Sequence, residues 1–355
     1  MSNPIVYTGT FTSGQSLGIY TWELDLATGE LRPAAAPATA ENPAYLTFGR
    51  PDRLYCVCES PSFRGEYGGG VAAFTVGPGR GELHPLNSQP THGVSPCYLT
   101  VDPSGRYLLT AQYVEGTVCL FPLAEDGSLG PCCDIVRHTG VTGPVADRQE
   151  HPHAHCVRFT PDGELALVVD LGLDRIKAYR LDASAGRLLP APEKDIMLHP
   201  GAGPRHIAFA NGGERLYVAC EVSSEIAVFG KKDSRYEPLQ VIPSGPVPIS
   251  AGNTAAALRF SPDGRFLYAS NRGQDSIAVF AVSPADGTLS LRSCTPCGGV
   301  GPRDFNLEPG GKFLLCANQY SDNIVSFAVD PATGALTPTG HEIREGCPVC
   351  VIFDA

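Results

Sequence analysis

Six times along the chain a short apolar run breaks at a polar turn and resumes as a second apolar run. The copies read AYLTFGRPDRLYCVCE, CYLTVDPSGRYLLTAQ, HCVRFTPDGELALVVD, RHIAFANGGERLYVAC, AALRFSPDGRFLYASN and RDFNLEPGGKFLLCAN. Their turn residues Pro51, Pro103, Pro161, Asn211, Pro262 and Pro309 stand 47 to 58 positions apart. Apolar runs bounded by Pro, Asp and Gly predict strands joined by tight hairpins. After each pair comes a polar loop, then a third run such as Ser276–Phe280 or Asn323–Phe327, then an Asp-Gly or Thr-Gly turn into a fourth. A four-stranded unit that cannot bury both its faces must stack on copies of itself, which predicts the blades of a β-propeller.

A seventh blade can be assembled from Pro348–Phe353 and three strands near the other terminus, around Ile5–Tyr7, Gly18–Trp22 and Glu30–Arg32. The expectation is therefore an all-β fold, a seven-bladed β-propeller closed by both chain ends in one blade, with residues 1–355 as a single domain. The segments 61–70 and 140–150 interrupt the period and read as surface loops.

Composition fits this picture. Gly 40 and Pro 32 supply many turns, the charged fraction is only 18%, and 43% hydrophobic residues can fill a core without any run long enough for a membrane helix. A net charge of −11 repels nucleic acid and anionic membranes, so neither is an expected partner. The first residues lack a charged segment followed by an apolar one, and thirteen scattered cysteines read as buried thiols, so a cytoplasmic location is expected.

Equivalent positions of a repeat can be compared chemically, and functional positions are those that differ. The first strands begin with Tyr45, Tyr98, His155, His206, Ala256 and Asp304, preceded by Ala44, Cys97, Ala154, Arg205, Ala255 and Arg303. The second strands end in Glu59, Gln112-Tyr113, Asp170, Glu221, Asn271-Arg272 and Asn318-Gln319. Antiparallel pairing puts both sets at one mouth of the ring. Ionisable groups gathered there need a partner or a ligand.

Other motifs carry less. His151-Pro-His153-Ala-His155 would place three rings on one side of an extended segment. With Pro152 disturbing pairing and no acidic or thiol ligand at a recognisable spacing, it reads as a loop pair beside one mouth histidine, and no metal or other cofactor is expected. The pairs Cys294/Cys297 and Cys347/Cys350 lie too far apart for a zinc ribbon. The glycine-rich stretches 65–70 and 77–81 read as turns, and His-Glu-x-x-His is missing.

The combination Pro152–His155 leading into Phe159–Gly163, Asp170–Arg175, Gly201–His206, Glu221, Ser270–Arg272 and Gly301–Arg303 resembles the seven-bladed propeller lactonases over essentially the whole chain. That group includes bacterial 6-phosphogluconolactonases and fungal carboxy-muconate lactonizing enzymes. The resemblance implies His155, Arg205, Glu221 and Arg272 as catalytic residues. Around them His153, Asp170, Asn271, Arg303 and Gln319 are the expected substrate-binding groups. It implies a small anionic sugar lactone as substrate and a monomer or weak homodimer. Metal-independent hydrolysis, most readily of 6-phosphogluconolactone, is the expected reaction, with His155 taking a proton from water and an arginine holding the oxyanion. Glu221 either orients an arginine or acts as the base if burial raises its pKa. Lactone formation is the alternative direction. A non-catalytic interaction platform is the alternative class, although the chain lacks Gly-His and Trp-Asp signatures and has one tryptophan.

Overall fold

A computed structural model describes residues 3–12 and 14–354. Seven antiparallel sheets stand around one axis, six of them made of consecutive strands: inner strand, second, third, outer. The seventh sheet pairs Pro348–Phe353 as its inner strand with Ile5–Thr10, so the two chain ends share one blade as expected. Closure is pinned at both ends of that pairing. Ile5 N–H donates to Asp354 Oδ1 at 2.9 Å, and Phe11 N–H donates to Cys347 O at 3.0 Å. Among the described residues there is no α-helix, only two three-residue 3-10 turns at Pro192–Lys194 and Asn211–Gly213, so no helix is long and apolar enough to cross a membrane.

The sequence explains the layering. Second strands are packed on both faces by neighbouring blades, so they read as continuous apolar runs: Ala166–Asp170 and Phe313–Asn318 are buried throughout. Outer strands such as Leu336–Arg344 face water and are largely polar. Tyrosines of the second strands tie blade to blade. The hydroxyls of Tyr55, Tyr217 and Tyr268 donate to the carbonyls of Gly127, Gly287 and Gly334 in the outer hairpin of the next blade, at 2.8, 2.6 and 3.0 Å. The turn between the first two strands is held by its own carboxylate: Asp102 accepts from Ser104, Arg106 and Tyr107 backbone N–H groups while Gly105 takes φ +71°.

Two expectations need adjustment. The outer strand of the closing blade spans Leu31–Thr39 rather than stopping near Arg32. Within 61–70 lies a small hairpin, Ser62–Phe63 against Glu66–Tyr67, because the Arg64-Gly65 pair adopts the left-handed conformation of a two-residue turn.

The closing blade also holds a buried acid. Glu345 accepts from the Thr8 hydroxyl on the adjoining strand at 2.7 Å, and burial raises its pKa to about 8. The folded state therefore binds one more proton than the unfolded state between the ordinary value of 4.5 and about 8. Stability is fully present below that window and declines as pH rises through it, by roughly 1.4 kcal/mol per pH unit at most. Urea denaturation across the window is expected to show this decline in the wild type and a flatter profile in Glu345→Gln; parallel profiles would contradict the assignment.

Candidate active site

The register of the inner hairpins decides which side chains reach the mouth. In five blades the pairing of inner and second strand skips one residue: Pro96–Gln112 is followed by Tyr98–Ala111, Ala154–Asp170 by Cys156–Val169, Pro204–Cys220 by His206–Ala219, Pro302–Asn318 by Asp304–Ala317, and in the closing blade Pro348–Thr10 by Cys350–Gly9. The skipped residues are Cys97, His155, Arg205, Arg303 and Val349. A β-bulge re-aims the extra side chain, and here it turns one residue per blade toward the axis. His155 is thus the structural equivalent of Arg205 and Arg303. Reading it as the counterpart of His206 was a one-residue error of phase, and period two makes such an error change faces.

The same phase correction applies to the second strands. Asp170, Asn271 and Asn318 are equivalent to Cys220, while Glu221 shares its place with Glu59, Tyr113, Leu171, Arg272 and Gln319. Cavity-facing residues are those one step beyond the paired end.

The two sets meet around a cavity of about 250 Å³ whose walls include His155, Glu221, Arg272 and Arg303. Arg205 stands directly behind it. The centre of charge is Glu221, 4% exposed. Its Oε2 lies 2.8 Å from Arg205 Nε and 2.7 Å from Arg272 Nη2, and its Oε1 contacts Arg148 Nη2. Burial opposes ionisation of Glu221, but Arg272, Arg205, His155 and Arg148 together outweigh it and hold the carboxyl well below the usual range. The possibility that desolvation raises Glu221 into a base is therefore corrected: it is a fixed anion. Burial and the neighbouring Arg272 bring the Arg205 guanidinium down to about 9, still charged at neutral pH. Burial and Arg205 push His155 well below its ordinary value, which keeps the imidazole neutral.

Several donors and acceptors of this cavity have no hydrogen-bond partner: His155 Nδ1, Arg272 Nε and Glu59 Oε2. Buried polar atoms are normally satisfied, so a cluster of unsatisfied ones facing a void marks a ligand site. A larger cavity of about 330 Å³ at the far end of the inner strands lacks this feature. Its Arg158 donates to Ile207 O, and its Arg259 is engaged by Leu258 O and Asp304. Its charges are already spent on the protein.

Other expected binding residues have different surroundings. Asp170 is fully buried and accepts from His138 Nδ1 at 2.6 Å and from the His153 and Leu173 backbone N–H groups. It sets the entry of the strand that carries His155. Asn271 is locked by Ser244 and Asn253, just before Arg272. Neither lines the cavity, and each holds the backbone beside a residue of the mouth. His153 faces away from the cavity and stacks on Tyr113 at 4.2 Å. Gln319 is a distant partner of Arg303 at 3.5 Å. Arg303 itself lines the cavity over the Phe11 ring.

Arg148 escaped sequence reasoning because it belongs to no repeat. It rides on the 140–153 segment, a strap whose Gln149 is buried and donates to Leu171 O and Asp174 Oδ1 at 2.9 and 2.7 Å. The available signal was an insertion carrying an arginine immediately before a mouth strand. Asp174 also accepts from Gly201 and Gly203 N–H at 2.7 Å, which fixes the approach to Arg205. Gly203 has φ +57°, and a Cβ there would collide with Val222. Glu59 and Tyr113, on the rim in sequence but not among the expected site residues, also line the cavity.

A propeller whose bulges aim an imidazole and guanidiniums at one mouth defines the class of propeller lactonases, and the chain belongs to that family: its model, described as Lactonase, 7-bladed beta-propeller, matches residues 5–353. It is a lactonase. It is 37% identical to 6-phosphogluconolactonase of Bacillus subtilis (strain 168) over 307 residues, 86% of this chain and 85% of that protein. Among solved structures it is similar to a candidate 6-phosphogluconolactonase from Bacteroides fragilis, with TM-score 0.92, 36% identity and coverage of 99% and 98% of the two chains. It is also similar to the periplasmic gluconolactonase of Pseudomonas aeruginosa, with TM-score 0.93, 34% identity and coverage of 100% and 99%.

Removing the shared anion tests this electrostatic arrangement. Glu221→Gln leaves Arg205 buried and unneutralised, and is expected to cost about 3–5 kcal/mol of folding stability in urea denaturation. Arg148→Ala, on the more exposed strap, is expected to cost under about 1 kcal/mol. Equal small losses would show that Glu221 does not balance the cluster.

Proposed function

We propose that the chain hydrolyses a phosphorylated sugar lactone, foremost 6-phosphogluconolactone to 6-phosphogluconate, using only its own side chains at the reacting atoms. The observation that carries this reading is the set of unsatisfied buried groups in the smaller cavity: a neutral imidazole nitrogen beside an unpaired guanidinium N–H. Neutral His155 takes a proton from water as that water adds to the lactone carbonyl. Arg272 stabilises the oxyanion with its Nε–H, which has no partner in the protein, while Nη2 stays on Glu221. The tetrahedral intermediate collapses with cleavage of the ring C–O bond, and the imidazolium returns its proton to the departing ring oxygen. Arg205 and Glu221 act as positioning residues that hold Arg272 and the local charge in place. Arg303 and Arg148 are the groups for the phosphate, by forked hydrogen bonds.

Support for the substrate comes from the name of the Bacillus relative. The gluconolactonase name of the Pseudomonas structure favours an unphosphorylated lactone as the second reading. Buried thiols such as Cys56, Cys156, Cys220 and Cys316 favour work in a reducing compartment, the cytoplasm, unlike that periplasmic neighbour. The cavity is walled by a single ring, so a monomer or weak homodimer suffices.

Initial rates on both lactones, corrected for spontaneous opening, test the reading. His155→Ala is expected to lower kcat by about 10²–10⁴, and Arg272→Lys by about 10²–10³ because an ammonium cannot replace the fork. Arg303→Ala is expected to raise KM for the phosphorylated lactone alone. Unchanged rates in His155→Ala remove it as base, and an Arg303→Ala effect equal on both lactones favours the unphosphorylated substrate.

A further inference from the structure

The strap that delivers Arg148 ends in Glu150, His151, Pro152 and His153, and three of these side chains converge outside the reacting cavity. His151 Nε2 lies 3.4 Å from Glu150 Oε1, and His153 Nε2 lies 3.3 Å from the same oxygen. All three potential ligand atoms fall within 4.8 Å of one another. The expectation that this tract lacks an acidic partner is thus corrected, since Glu150 folds back over both rings.

The opposite nitrogen of each ring settles the tautomers. His151 Nδ1 is 2.9 Å from Pro152 O, and His153 Nδ1 is 2.9 Å from Tyr113 O. A carbonyl only accepts, so each Nδ1 carries a hydrogen and each Nε2 can present a lone pair. Two lone pairs then face one carboxylate oxygen with no donor between them. His153 is 3% exposed, and its Nε2 has no hydrogen-bond partner. Acceptors brought together around a buried ring nitrogen need a cation.

The spacing selects the kind of cation. A tetrahedral ion with bonds of about 2.0–2.1 Å sets neighbouring ligand atoms about 3.3–3.4 Å apart, which is the separation of Glu150 from both rings. Backbone carbonyls on the far ring nitrogens are the outer partners that metal-binding histidines commonly have. We propose that Glu150, His151 and His153 bind one zinc-class divalent cation, with water completing its coordination. The ion ties the strap to the first residue of the inner hairpin and so steadies Arg148, two residues before Glu150, against Glu221. None of its ligands lines the reacting cavity, so the site is a structural tie and takes no part in the bond changes proposed above.

Cobalt binding by the full chain, stripped with EDTA and dialysed, tests this without reference to activity. The expected result is a saturable 1:1 visible spectrum of nitrogen and oxygen ligation, without the near-ultraviolet charge-transfer band of cysteine thiolates, and displaced by zinc. Zinc is expected to raise the melting temperature of the wild type. His151→Ala and Glu150→Gln, which alter a half-buried and an exposed side chain, are expected to keep the fold by circular dichroism, lose at least tenfold in cobalt affinity and lose the zinc-dependent shift. No saturable spectrum, the outcome for a cluster holding only a proton, would overturn the proposal. So would a thiolate band at saturation, or unchanged affinity in both variants. Lactonase rates are not the readout, so failure here leaves the reaction chemistry standing, and failure of that chemistry leaves the cation site standing.

Discussion

One carboxylate, Glu221, holds the mouth of this propeller together. Three arginines reach it from three directions: Arg205 from the neighbouring strand of its own blade, Arg272 from the next blade and Arg148 from a strap outside the repeat. Their mutual repulsion in a buried setting would be prohibitive without a shared counter-charge. With it, the cluster keeps a net positive field in an acidic protein and leaves Arg272 Nε without a partner. The depressed basicity of His155 follows from the same arrangement, since a cationic ring beside those guanidiniums would be repelled.

The propeller supplies what such a cluster needs. Five blades repeat the same bulge at the same height, so chemistry can be placed by substitution at equivalent positions without altering the backbone. Cys97, His155, Arg205 and Arg303 occupy one such position. Alanine takes it where no function is demanded, as at Ala256. Groups one residue earlier at the second-strand ends, Asp170 and Asn271, fix the backbone that aims the reacting ones. Function and framework thus alternate along one strand with period two.

Blade number, closure through the terminal strands and the identity of the rim residues were legible in the sequence, because turn residues and apolar runs repeat with little decoration. Phase was not. A bulge adds one residue without leaving a mark in hydropathy, so His155 aligned with His206 and Asp170 with Glu221, each one step out. Arg148 and Glu150 were invisible for another reason: non-repeated insertions have no equivalent position with which to be compared. Their placement depends on Gln149 and Asp174, whose tertiary hydrogen bonds no local pattern announces.

The most direct measurement is a crystal structure with 6-phosphogluconate bound. The account places the product carboxylate against His155 and Arg272 and the phosphate near Arg303 and Arg148. Product seated instead beside Arg158 and Arg259 at the far end of the inner strands, or touching none of the arginines around Glu221, would contradict it.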